Sequence, residues 1–478
     1  MVGRACVSAG ISLALVAGGC ATPRPGRVTL PERRPLGRDL AAFEAPADEA
    51  AAPRPEIGEP RGPLTLREAL ALALLHSPEL AQSAWDIRMA EARVLQAGLG
   101  PNPELGFDSE GFGGTRDKKG FGNAEGSLSL AYTIELGGKR RQRARAAEAE
   151  GRLAAWDYEA KRLDVLTATA KAFIAVVAAQ EHVALEEERV ALAETVLRNV
   201  AERVRAGKVS PLEEHKARAE LASARIAREQ ARHKAAAARR RLATFWGGAE
   251  PAFERAVGDL AAAAPPPPEA SLVGLLAQNP DLERWADEAA QRQAALDLEK
   301  ANRRPDLNLS PGLGYFGESG AVAWLFGWAL PLTARNRNQG AILEATHGVA
   351  KAAETRRAAE AKARGELAEA YGELAAAFEE IRGLQAEVLP AAQAAYDAAS
   401  AGFREGKFPF LDVLDAQRTL FEARGNLLAA LADYHKALAD VERLIGQSIP
   451  RLPAGAQPVP QPPAGLEPAG GLQERSQP

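Results

Sequence analysis

Cysteine is nearly missing from this chain. Its 478 residues hold two, Cys6 and Cys20, which excludes a disulfide scaffold and a Cys-based zinc centre. Aromatic residues make up only 5%, too few for the roughly three compact cores that length alone would suggest. No apolar run reaches the ~18 residues that a membrane-spanning helix needs. Neither sign of charge prevails, with 59 Lys and Arg against 63 Asp and Glu. A nucleic-acid binder should carry a basic face, so nucleic acid is not expected as a partner. The histidines (His76, His182, His215, His233, His347, His435) are scattered with no H-x-x-x-H pair, so no metal site is expected. G-x-S-x-G, H-E-x-x-H and Walker sequences are also absent, and the chain reads as a non-enzyme without a cofactor.

What abounds is alanine, about a fifth of the residues, with Glu, Arg and Leu, a makeup that favours long helices. At the N-terminus, Arg4 precedes an apolar run from Val7 to Gly19 that suits the core of a signal peptide over 1–19. The run ends in Val16-Ala17-Gly18-Gly19-Cys20. This resembles a bacterial lipobox, in which the cysteine is acylated, although Ala17 stands where Leu is usual. Cys20 is therefore the expected lipid anchor; ordinary cleavage nearby would export the chain equally. Residues 20–63, rich in Pro and Ala, read as a lipid-anchored linker. Residues 449–478 read as a disordered tail for the same reason.

The body is duplicated, with residues recurring about 200 positions apart. His76-Ser-Pro78-Glu-Leu80 answers Gln278-Asn-Pro280-Asp-Leu282, and Pro103-Glu-Leu105 answers Pro305-Asp-Leu307. Arg205-Ala-Gly-Lys208 answers Arg404-Glu-Gly-Lys407. The halves span 64–262 and 270–448, joined by a Pro-rich linker over 263–269. Each reads as a helix (65–99; 270–302), two strands (103–110 and 127–136; 306–316 and 322–332), a very long helix (139–205; 336–404), a Gly break and a last helix (211–246; 409–446). The long helices would reach on the order of 100 Å. Leu367, Tyr371, Leu374, Phe378, Ile381 and Val388 form a coiled-coil seam, and Trp156, Leu163, Ala170, Val177, Ala184 and Ala191 repeat every seven. The basic run Lys139–Arg145 reads as a solvated helix start.

The strands alternate. Leu128, Leu130, Tyr132, Ile134 and Leu136 interleave with Ser127, Ser129, Ala131 and Thr133, and Trp324, Phe326, Trp328 and Leu330 with small residues. Such alternation suits a transmembrane β-barrel and equally a half-buried soluble sheet; the export signal favours the barrel. Four strands cannot close a barrel that needs at least about eight, so several chains must pool theirs. Three would give about twelve, and arithmetic alone does not separate three from two or four.

Together these features resemble the TolC-like outer-membrane factor family over about 64–448. The markers are Leu64-Thr-Leu-Arg-Glu-Ala with Pro78 downstream, and Asp412-Val-Leu-Asp415-Ala-Gln-Arg418 after Gly406. Glu135-Leu-Gly-Gly-Lys-Arg140 resembles the CzcC-like heavy-metal branch. The resemblance implies a mainly α fold with a small antiparallel β part. A homotrimer would join a long coiled-coil α-helical barrel to a 12-stranded barrel in outer-membrane lipid. It would act as a passive duct, docked with a periplasmic adaptor (membrane fusion protein) and an inner-membrane resistance-nodulation-division pump.

Within that frame Gly207, Lys208, Gly406 and Lys407 would form the periplasmic tips that the adaptor engages. As residues they are helix terminators, with Pro211 and Pro409 restarting the chain. Asp412 and Asp415 lie three apart on one helix face and would line the constricted entrance, where an acidic ring favours cations. On the residues alone, both could simply complement a helix N-terminus. Glu213 and Glu214 occupy the corresponding place in the first half. Phe403 and Phe408 stand where relatives can carry polar gate-locking residues. Competing expectations are a duct for drugs or for type I protein secretion, and a periplasmic coiled-coil adaptor; the second should have one helical hairpin, whereas this chain has two.

Overall fold

The computed structural model describes residues 26–46 and 58–449; the expected signal peptide, Cys20 and the tail from residue 450 lie outside the described residues. Strand β1 (Gly62–Thr65) leads into α1 (Leu66–His76) and α2 (Pro78–Gly98). Thr65 and Glu68 form a reciprocal capping box at the start of α1. One helix was expected over 65–99, but Pro78 has no N–H to donate, and Ser77 restarts the chain by capping Leu80 N. Next come β2 (Glu104–Glu110), β3 (Glu125–Ile134), the 67-residue α3 (Lys139–Arg205), α4 (Pro211–Thr244) and β4 (Phe253–Val257). The second half holds α5 (Glu269–Val273), α6 (Pro280–Asn302), β5 (Leu307–Phe316), β6 (Ala321–Ala329), α7 (Gln339–Gly383), α8 (Leu389–Glu405) and α9 (Phe410–Ile445). Asn279 and Pro280 repeat in α6 the cap and restart of Ser77 and Pro78.

The second long helix is continuous but carries a π turn at Leu384–Val388 between α7 and α8. Pro390 explains it, because proline cannot donate to the carbonyl four residues back and its ring crowds that carbonyl. The wider turn shifts the helix phase. The expected seam holds at Leu367, Leu374 and Ile381, all buried, then passes to Leu384 and leaves Val388 exposed. In α3 the expected heptad also drifts: Leu163 and Val177 are buried, yet Ala184 and Ala191 are exposed. The lower seam instead runs through Val190, Ala193, Leu197 and Val200.

The largest core lies midway along the helices, where Phe173, Val177, Trp246, Phe253, Leu367, Leu374 and Val441 cluster. Trp246 meets Phe253 edge-on at 6.5 Å. An unforeseen two-stranded parallel sheet, β1 with β4, sits beside it. An 18-residue window of α3 reaches a mean hydropathy of 1.4, enough to cross a membrane by composition, but half of it is buried within the protomer. Burial in this core accounts for its apolar character.

Residues 26–46 depart from the expected tether. Leu40 and Ala45 are buried with Leu163, Leu166 and Tyr158. The Tyr158 hydroxyl donates to Phe43 O at 2.6 Å, Arg34 pairs with Glu283 at 2.6 Å, and Val28 N donates to Glu91 at 2.9 Å. Arg162, fully buried, is satisfied by Glu159 and by the carbonyls of Leu36, Gly37 and Arg34. Apolar anchors too sparse to show periodicity fasten this strap. The basic run at the start of α3 is not simply solvated either. Lys139 is buried against Asp306 at 2.8 Å, and Arg143 grips Glu135 at 2.7 and 3.1 Å while donating to Ala97 O and Leu99 O. It clamps the strand–helix junction.

Candidate functional site

Two regions at opposite ends of the molecule carry the sequence expectations. The first is the sheet β2-β3-β5-β6, antiparallel throughout, in which the two halves meet at β3 and β5. Its register sorts side chains into two faces. Phe107, Leu128, Leu313 and Trp324 align in one row, and Tyr132, Leu309 and Trp328 in another. The opposite face aligns Gly106, Ser129 and Gly312, then Asp108, Ser127, Gly314 and Ala323. The apolar face is open: Phe107 is 71% exposed, Trp324 78% and Trp328 66%. Gly312 is required by close packing, since a Cβ there would lie 2.6 Å from Leu128 O. β2 and β6 each have one unpaired edge.

The second region is the far end of the long helices. Gly207 (φ 69°) and Gly406 (φ 80°) are left-handed, a conformation that strains any side chain. Each closes a Schellman motif. Lys208 N donates to Arg203 O and Gly207 N to Val204 O; Lys407 N donates to Gly402 O and Gly406 N to Phe403 O. Ser210 caps α4 with Pro211 in its first turn, whereas Pro409 itself occupies the cap position of α9. Lys208 and Lys407 are exposed at these turns, Lys407 alongside Glu405 at 2.6 Å.

The carboxylates of this end fall into two groups. Asp412, in the first turn of α9, and Asp415, one turn on, are exposed and form no ion pair among the described residues. Glu213 and Glu214 are half-buried; Glu214 accepts from Arg218 at 2.5 Å, whereas Glu213 lies 3.9 Å from Lys216 and its buried Oε2 has no hydrogen-bond partner. The structure thus leaves the Asp pair exposed and holds Glu214 against Arg218. Phe403 is buried and meets Phe410 at 5.5 Å with the rings tilted by 47°, and the Arg203 guanidinium lies 4.3 Å from its ring centroid. Arg203 also donates to Phe403 O, joining the ends of α3 and α8. Phe408 lies over Gly402, where a Cβ would come within 2.1 Å of the ring.

Sequence reading missed the link one level above. Glu220 on α4, 5% exposed, accepts from Arg189 of α3 at 2.7 Å and from Arg418 of α9 at 2.7 and 3.2 Å. Burial pushes its carboxyl up, but the two guanidiniums outweigh that and hold it below its ordinary value. The three residues lie 31 and 198 positions apart, so no local pattern announces them. Among the described residues, no group of three or more His, Cys, Asp or Glu is placed to hold a metal ion.

Comparison with known proteins agrees with this layout. Residues 69–248 and 272–447 match the family described as outer membrane efflux protein, one match for each half. The cobalt-zinc-cadmium resistance protein CzcC of Cupriavidus metallidurans is 35% identical over 389 residues, covering 81% of this chain and 91% of that protein. The nickel and cobalt resistance protein CnrC of the same organism is 28% identical over 58% of this chain and 65% of that protein. A CusC crystal structure superposes with a TM-score of 0.68 at 18% identity, over 86% of this chain and 99% of that one. The open-state MtrE outer membrane channel of Neisseria gonorrhoeae gives 0.66 at 18%, over 89% and 99%; at such identities these two speak for the fold alone. With a match in each half and a close relative along nearly the whole length, the chain belongs to the outer membrane efflux protein family and is an efflux channel subunit, not an enzyme.

Proposed function

We propose that three copies of this chain form a closed duct that carries divalent transition-metal cations across the periplasm and outer membrane, passively. The carrying observation is the four-stranded sheet with two free edges, an apolar face and a face of Ser, Gly and Asn. Edge strands in lipid need partners, so β6 of one protomer would pair with β2 of the next. β3 and β5 have 10 residues each and β6 has 9, close to the ~9–11 that a tilted strand needs to span a bilayer. Below the membrane α3, α4, α7, α8 and α9 would wall the tunnel.

At its tip, Asp412 and Asp415 from three protomers would bring six unpaired carboxylates together, an arrangement that favours cations. Glu214, bonded to Arg218, and Glu213, half-buried, would add less. The turns at Gly207, Lys208, Gly406 and Lys407 would meet a periplasmic adaptor, which connects to an inner-membrane resistance-nodulation-division pump that supplies the energy. Cys20 would anchor the chain in the inner face of the outer membrane. Val28 packs beside Gly151, about 18 Å down α3 from its start.

Metal cargo is favoured by the 35% identity to CzcC over 81% of the chain, against 28% over 63% for the pyoverdine export protein OpmQ of Pseudomonas aeruginosa. Deleting the gene should raise sensitivity to Co²⁺, Zn²⁺ and Cd²⁺ and leave sensitivity to lipophilic drugs unchanged. The reverse pattern would assign the duct to drugs.

A further inference from the structure

The β2–β3 hairpin ends in a long tip, residues 111–124, at the end of the sheet away from the helices. Phe112 and Phe121 stack on each other there with centroids 5.7 Å apart and planes 11° from parallel, though Phe121 is 80% exposed. Exposed stacked rings are costly in water and need a reason. Phe121 also closes a groove with Phe107, Leu128, Leu313, Tyr315 and Val322, with Ser109, Glu125 and Ser127 along its other side, so the apolar face of the sheet runs on into the tip. Arg116, Lys118 and Lys119 lie between the two rings in sequence and are all exposed, against one acidic residue, Asp117, within the tip. The tip is built rather than slack: Gly113 N donates to Gly120 O, Gly114 N to Lys118 O and Ala124 N to Phe121 O. The other hairpin, β5–β6, turns through Gly317-Glu318-Ser319-Gly320 and has no cation.

We propose that this tip docks a phosphorylated, acylated lipid of the outer leaflet, its phosphates on Arg116, Lys118 and Lys119 and its acyl chains against Phe112, Phe121 and the groove below. The inference rests on the barrel reading, which turns the apolar face toward lipid and the tip toward the cell exterior. The charge and the apolar surface are both needed. Three exposed cations would hold a free phosphate only weakly against water, whereas cations in the same tip as exposed apolar rings match a headgroup with its chains attached. Glu110 and Glu125, paired across the base of the tip, keep the basic zone confined to its outer end.

The test uses the full-length chain purified in detergent, titrated with hexa-acylated bisphosphoryl lipid A, its dephosphorylated counterpart and inorganic phosphate, with bound lipid counted by native mass spectrometry. The wild type should prefer the phosphorylated lipid by at least about tenfold, and millimolar inorganic phosphate should not compete. The triple variant Arg116→Ala, Lys118→Ala, Lys119→Ala should lose that preference. Phe112→Ser with Phe121→Ser should weaken both lipids equally. Retained preference in the triple variant, or displacement by inorganic phosphate, overturns the proposal. A wild type that fractionates with the outer membrane and restores metal resistance but shows no preference overturns this inference alone. A wild type missing from the outer-membrane fraction overturns the barrel reading beneath it.

Discussion

Replacing Glu220 by alanine should loosen the end of the helices that carries the Gly207 and Gly406 turns, by an amount that the geometry of the site sets. The carboxylate is 5% exposed and holds two guanidiniums from different helices, Arg189 on α3 and Arg418 on α9. The two partners are not equal. The Arg189 side chain is 21% exposed and Arg418 61%. A charge-assisted hydrogen bond in the shielded half should contribute about 1.5–3 kcal/mol, and the exposed half about 0.2–1 kcal/mol. Glu220→Ala should therefore cost about 2–4 kcal/mol per protomer. Arg418→Ala should cost under about 1 kcal/mol. Thermal unfolding of the detergent-solubilised protein, with both single variants and the pair, gives the coupling directly. The same Glu220→Ala protein should show higher single-channel conductance, because α9 loses its tie to α4. An Arg418→Ala variant as damaging as Glu220→Ala, or a Glu220→Ala variant with unchanged stability, would refute this reasoning.

Since Glu220 is held below its ordinary 4.5, its contribution is fully present above that pH and fades as pH falls through the lowered value; Glu220→Gln should flatten the acid limb of a stability–pH profile. Asp412→Asn with Asp415→Asn should shift reversal potentials in planar bilayers toward lower cation preference, and unchanged potentials would remove the gate assignment. Gly402→Ala should destabilise by about 1–3 kcal/mol through its clash with Phe408. Gly207→Ala, in open space but at φ 69°, should cost about 1–2 kcal/mol; thermal melts check both. Arg162→Ala strips the strap of its buried anchor, and limited proteolysis should then cut within 26–46 where the wild type resists.

Much of this architecture was legible because the chain repeats itself. The two Arg-x-Gly-Lys turns marked both helix ends to within a residue, since left-handed glycine closures carry a local signature that packing does not alter. The strands were legible because alternation maps directly onto the two faces of a sheet. The misses have a common physical origin in contacts between distant segments. β4 was invisible because Phe253-Glu-Arg-Ala-Val is short and mostly charged or small, and it becomes a strand only by pairing with β1. The strap over 26–46 looked like a linker because its anchors, Leu40, Phe43 and Ala45, pack against α2 and α3 without any repeat of their own. Pro390 announced the π turn, yet its effect on the seam at Val388 depends on how the wider turn is absorbed. The Glu220 link joins residues nearly two hundred positions apart, and its members look like ordinary surface charges until the helices assemble.

A closed barrel requires β2 and β6 of neighbouring chains to pair. Cysteines placed singly along Glu104–Glu110 and Ala321–Ala329, one in each strand of the full-length chain, can be oxidised in outer-membrane fractions and resolved on denaturing gels. Pairs in register should give a covalent ladder ending at three chains, with side chains from the Ser- and Gly-bearing face protected from lipid-soluble thiol reagents. A ladder ending at two or four, or cross-links confined within single chains, would contradict it.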